Sequence, residues 1–131
     1  MLRFDGLYQA PADLSKAEPV DYFDYLRFYE DGWVIDCTSS GTPEQVIAWF
    51  YRDNPEQPAQ LTGRYIIDGD MISFSPEYRY DDEGEEVVML IEYDGVIKDG
   101  GSILDLQVSS RMTGHKSVKV FRFVRVIAQV G

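Results

Sequence analysis

The sequence predicts an all-β protein: an antiparallel up-and-down barrel of about eight strands with one short inserted helix. Three observations predict it. Five Asp-Gly dipeptides (Asp5-Gly6, Asp31-Gly32, Asp68-Gly69, Asp94-Gly95 and Asp99-Gly100) punctuate the chain, most of them at or near the end of a run rich in β-branched and aromatic residues. Asp-Gly favours tight hairpin turns because Gly accepts positive φ without strain. Along the runs, apolar and polar residues alternate with period two, the signature of a strand with one buried face. Finally, one hairpin plan occurs twice, in Gly63–Phe74 and in Gly95–Leu106. Each opens on Gly, turns through a second Gly, and places apolar residues at matching offsets (Ile72 and Phe74; Leu104 and Leu106).

The elements follow in order. Leu2, Phe4, Gly6 and Tyr8 alternate with Arg3, Asp5 and Gln9 as the first strand, and Pro11 and Pro19 frame a polar connection. Tyr22 to Glu30 is the second strand, with Leu26 and Phe28 on one face. After Asp31-Gly32 the chain returns through Trp33, Ile35 and Cys37, with Val34, Asp36 and Thr38 opposite. On this pattern Cys37 is a small buried hydrophobe rather than a nucleophile. Thr42-Pro43-Glu44-Gln45 then reads as a helix start, with Thr42 as N-cap, Pro43 at the first helical position and Gln45 closing a capping box. Val46, Ile47, Trp49 and Phe50 supply its apolar face, and Asn54-Pro55 stops it. Such a helix must cover something apolar, an open barrel end being one candidate.

Five further strands are expected: Gly63–Ile67, Asp70–Ser75, Glu86 to about Lys98, Ser102–Ser110 and Ser117–Ile127. The acidic run Asp81–Glu86 joins two of them and reads as a solvated hairpin tip. It lacks the ligand spacing of an EF-hand Ca²⁺ loop. The predicted common core is Phe4, Leu26, Phe28, Trp33, Ile35, Ile72, Phe74, Leu104, Leu106 and Val108.

At 131 residues the chain is read as one domain, 1–131, able to bury a core without disulfides. Twelve basic against 23 acidic residues give a net charge of -11, which repels phosphate backbones and anionic lipid heads. Nucleic acid and membranes are therefore not expected partners. A single Cys and a single His supply too few ligands for a zinc site, so no metal or cofactor is expected. With neither a signal-peptide core nor an apolar run of membrane-spanning length, the expected location is cytoplasmic.

Gly6-Leu7-Tyr8 resembles the Gly-x-Trp signature that opens lipocalins, with Tyr in place of Trp. The Gly63-x-Tyr65…Gly69-Asp70-x-Ile72-x-Phe74 hairpin is similar to one recurring in bacterial lipocalin-like (calycin) domains. The last strand, Val120–Arg125, offers an Arg near the C-terminus, where lipocalins keep one packed across the signature Trp. The resemblance spans most of the chain as a strand pattern and implies a barrel that either encloses one small ligand or is filled by its own side chains.

Two functional readings follow. In the first, the barrel binds a small, mostly apolar molecule in its interior, with Tyr8, Tyr22, Trp33, Tyr65, Phe74 and Arg122 as candidate ligand-binding residues. Arg122 shares a strand face with Val118, Val120, Val124 and Val126. Facing inward it would pair with an anionic ligand; facing outward, it would leave Phe121 and Phe123 as the inward pair. In the second reading the barrel is filled and acts through its surface as an interaction or homodimerisation module, because the last strand is apolar on both faces and one face needs a cover. The wealth of aromatic residues tips the reading towards binding. A non-enzymatic role is expected, with no catalytic residue assigned. His115 falls in an expected turn, and no nucleophile elbow, phosphate loop or dinucleotide fingerprint is present. Paired carboxylates converging in the fold would reopen that question.

Overall fold

The computed structural model describes residues 1–11, 22–56, 60–110, 114 and 116–126. Its elements are β1 (Gly6–Pro11), β2 (Phe23–Phe28), β3 (Trp33–Ser39), α1 (Pro43–Ile47), β4 (Leu61–Asp68), β5 (Met71–Phe74), β6 (Glu77–Asp82), β7 (Glu85–Lys98), a short 3₁₀ turn (Asp99–Gly101), β8 (Ile103–Ser110) and β9 (Lys116–Arg125). Every strand pairing is antiparallel. The ladder runs β1–β2–β3–β4–β5–β7–β8–β9 and closes through β9 onto β1, making an eight-stranded barrel with β6 as one extra strand. Closure gives each of the eight barrel strands a partner on both sides. No helix among the described residues is long and apolar enough to cross a membrane.

The turns obey local chemistry, but only some of them use Asp-Gly. Gly32, Gly69 and Gly100 have positive φ, and each turns the chain between consecutive strands. Gly95 lies inside β7 instead. A Cβ there would sit 2.0 Å from the Asp105 carbonyl oxygen, so this glycine admits the backbone of β8. The Glu83-Gly84 pair, both at positive φ, turns β6 into β7 and leaves the whole acidic run solvated.

β6 was not expected, because its Glu77–Asp82 stretch merges with the acidic run. It is the continuation of β5 past Pro76. Phe74 faces Tyr93 and Glu77 faces Leu90, so the register against β7 continues unbroken across the proline. The β6–β7 ribbon thus carries the barrel wall beyond the rim.

Two cores form, one on each side of the wall. The interior holds Tyr8, Leu26, Phe28, Val34, Ile72, Phe74, Tyr93, Ile97, Leu104, Leu106, Val108 and Phe121, with Phe4 half-buried against them. The second core lies outside the barrel, where Val46, Ile47 and Phe50 pack on Leu7, Tyr25 and Ile35. Two expectations are corrected here. The helix covers the outer face of β1–β3 rather than a barrel end. Ile35 is buried beneath it and Trp33 is half-buried on the same outer side of β3, while Val34 faces the interior. Both faces of β3 are buried, so the larger side chains gave no guide to which face is inner. The capping box is present as expected, but α1 proper ends at Ile47. The Arg27 guanidinium ties the following segment down by donating to the Phe50 carbonyl at 2.7 Å.

Candidate functional site

Three of the six residues singled out from the sequence converge on one ring. Phe28 meets Tyr8, Tyr65 and Phe74 edge-on, each with centroids 5.4 Å apart. Phe74 also stacks on Tyr93 at 4.6 Å. Such ring pairs add about 0.5–1.5 kcal/mol each beyond area burial. Their hydroxyls are committed to backbone: Tyr8 donates to the Gly101 carbonyl at 2.5 Å, and Tyr65 donates to the Tyr29 carbonyl at 2.6 Å. These residues fill the end of the barrel they occupy.

The other three lie elsewhere. Trp33 is outside, with the Arg64 guanidinium 5.0 Å from its ring centroid, and Tyr22 is 39% exposed ahead of β2. Arg122 points to solvent while its neighbour Phe121 is fully buried. Of the two orientations open to Arg122, the structure takes the outward one, with Phe121 and Phe123 as the inward pair. On β9 the odd-numbered residues face in, because Leu104 and Leu106, both interior, stand opposite Phe121 and Lys119. Nor does a C-terminal arginine cross Tyr8, since Arg122 and Arg125 are both exposed; it is Arg3 that stacks on Phe123, at 4.5 Å. His115 lies outside the described residues.

The opposite end of the interior is charged, a feature the sequence reading missed. Asp24 of β2 and Asp36 of β3 are both buried. Asp24 accepts from the Thr38 hydroxyl at 2.6 Å and from the Lys119 ammonium of β9, which reaches it from the far side of β1. Ala10, opposite Asp24 on β1, is a small side chain in the gap between them. Asp36 accepts from the Tyr93 hydroxyl at 2.6 Å, a bond that joins β7 to β3 across the barrel.

Burial dominates the electrostatics here. It pushes the Asp36 carboxyl up to about 7; the Tyr93 bond opposes that shift, the Asp24 charge adds to it, and Lys119 opposes it. Burial also raises the Tyr93 phenol well above its ordinary range, with the charge of Asp36 acting in the same direction. Cys37, on the outer side of β3, is likewise pushed up by burial and then by Asp36 and Asp24, so its thiol stays protonated and unreactive. The cluster therefore offers one ion pair and one carboxyl poised to lose its proton near neutrality.

A signal for this site was present in the strands. Asp24 is in phase with Leu26 and Phe28, and Lys119 with Phe121 and Phe123. A charge at an apolar phase marks either an error of register or a buried group with a purpose.

Against known proteins, the chain matches no family, no curated sequence and no solved structure.

Proposed function

We propose that the chain is a non-enzymatic, lipocalin-like barrel that binds a small, mostly apolar molecule, with the Asp24–Asp36–Lys119 end as the mouth of its site. The observation that carries this reading is a charged, hydrogen-bonded cluster set in an interior otherwise built of aromatic and aliphatic side chains. Binding sites combine apolar walls with a few convergent polar groups, and perturbed carboxyls gather at functional sites. Folding alone gives little reason for the cluster, because a buried ion pair is often no more stabilising than well-packed apolar side chains. An anionic ligand loses its support. The arginine that motivated it faces solvent, and the mouth holds two carboxyl groups against one ammonium. Native mass spectrometry of the purified protein tests the proposal. A retained small molecule that is lost when Lys119→Met is combined with Asp24→Asn, which restores much of the stability lost in Lys119→Met alone, supports it; a bare polypeptide mass, with no small molecule bound on screening, refutes it.

One observation favours the alternative, a filled barrel acting as an interaction or homodimerisation module. Helix α1 covers Val124 but leaves Val118 and Val120 of β9 66% and 42% exposed. Val118 lines a shallow depression with Met71 and Val96, beside Asp94, Asp105 and Gln107, and Val120 stands across Asp105 from Val96. Sedimentation of the wild type and of Val118→Asp separates the readings, since a dimer dissociated by the aspartate supports the interaction module.

A further inference from the structure

The β6–β7 ribbon continues the inner face of the barrel past its charged mouth. Phe74 and Tyr93 face inward, and the register is unbroken, so Tyr78 with Met89 and then Tyr80 with Val87 lie on that same face. The Tyr78–Met89 pair stands four residues, about 13 Å, beyond the Phe74–Tyr93 pair. Tyr78 and Tyr80 stack on one another, with centroids 5.7 Å apart and planes 18° from parallel, and remain half-exposed. Next along this face, at the tip, come Asp82 and Glu85, both exposed. Arg79 is on the opposite face, where it binds Glu77 and Glu86.

Going from tip to mouth, the inner face therefore presents two carboxylates, an aromatic platform, and then Asp24 and Asp36. Among the described residues of this surface Lys119 is the one cation, and Asp24 pairs with it. The surrounding chain carries a net charge of -11. The exposed carboxylates of Asp82 and Glu85 beside the stacked tyrosines attract an organic cation twice, through the field of the acidic groups and through the ring faces.

We infer that the inner face of the β6–β7 ribbon completes the binding site and selects an organic ammonium compound with an aryl or alkyl body. This rests on the ligand-binding reading above. The body lies on Tyr78, Tyr80 and Met89 while the ammonium meets Asp82 and Glu85 at the tip.

The test uses three probes of one shape and different charge: phenylbutylamine, phenylbutanol and phenylbutyrate, each titrated calorimetrically into the full chain. The amine is expected to bind about tenfold more tightly than the alcohol, with the carboxylate weakest, and its advantage should shrink as salt is added. Tyr80→Ala should weaken the amine about tenfold. Asp82→Asn combined with Glu85→Gln, both at exposed positions that do not threaten the fold, should weaken the amine and leave the alcohol unchanged. Equal affinity for amine and alcohol overturns the cation preference while the ligand-binding reading stands. Tight amine binding that ignores all three substitutions overturns the ribbon's part in it. No binding of any probe overturns this inference, and the ligand-binding reading falls with it only if native mass spectrometry also shows no retained molecule.

Discussion

Replacing Asp36 with Asn should change how stability depends on pH. In the folded chain the Asp36 carboxyl titrates at about 7, against about 3.9 when unfolded. The folded state therefore holds a proton that the unfolded state releases, and this favours folding most at low pH. The contribution is fully present below about pH 4 and is lost as pH rises through about 7. Three units at about 1.4 kcal/mol each give a total loss of about 4 kcal/mol, roughly half of it between about pH 5.5 and 8. Asn keeps the shape and still accepts from the Tyr93 hydroxyl, but does not titrate. Urea denaturation of both proteins across this range, at constant ionic strength, measures the difference directly, because the other titrating groups are shared. The wild type should lose about 2 kcal/mol relative to Asp36→Asn between the two ends. Parallel curves would refute the burial of an acidic Asp36.

Other outcomes follow from the packing. Phe74→Ala removes a ring that contacts Phe28 and Tyr93, and should cost about 3–5 kcal/mol in chemical denaturation. Lys119→Met leaves the buried Asp24 carboxylate without its counter-charge; a loss of about 3–5 kcal/mol is expected, much of it recovered when Asp24→Asn is added. Gly95→Ala places a methyl against the Asp105 carbonyl, so the β7–β8 ladder must shift, and the melting temperature should fall even though the change is small and apolar. Thr42→Ala removes the side chain that accepts from the Gln45 amide at the start of α1, and a thermal melt should register about 1 kcal/mol.

Much of the barrel could be read from the chain because its signals are local. Period-two alternation places Leu26 with Phe28, Ile72 with Phe74 and Leu104 with Leu106, and all six are interior. The capping box at Thr42 needs four residues in sequence and nothing from the rest of the fold. The errors arose where a second surface buried the other side of a strand. Trp33 and Ile35 form the larger apolar set on β3, yet α1 draws them outward, and Val34 and Asp36 become interior by the same alternation. Arg122 and Lys119 lie on opposite faces of β9, and pairing with Leu104 and Leu106 on β8 decided which turned inward. No periodicity within β9 contains that information. The charged cluster draws Asp24, Asp36, Tyr93 and Lys119 from four strands, so it exists only after closure. Even so, an acidic residue at an apolar phase of β2 was a visible anomaly.

Under the proposed function, ligand recognition belongs to the charged end of the barrel and not to its outer faces. Amide and side-chain NMR spectra recorded during titration with phenylbutanol and phenylbutylamine test it most directly. Shifts are expected to concentrate at Asp36, Tyr93, Lys119, Tyr78 and Tyr80, with Trp33 and Val118 unmoved. Shifts confined to the Met71–Val118–Val120 surface or to helix α1, with the Asp36 and Tyr93 signals unchanged at saturation, would contradict it.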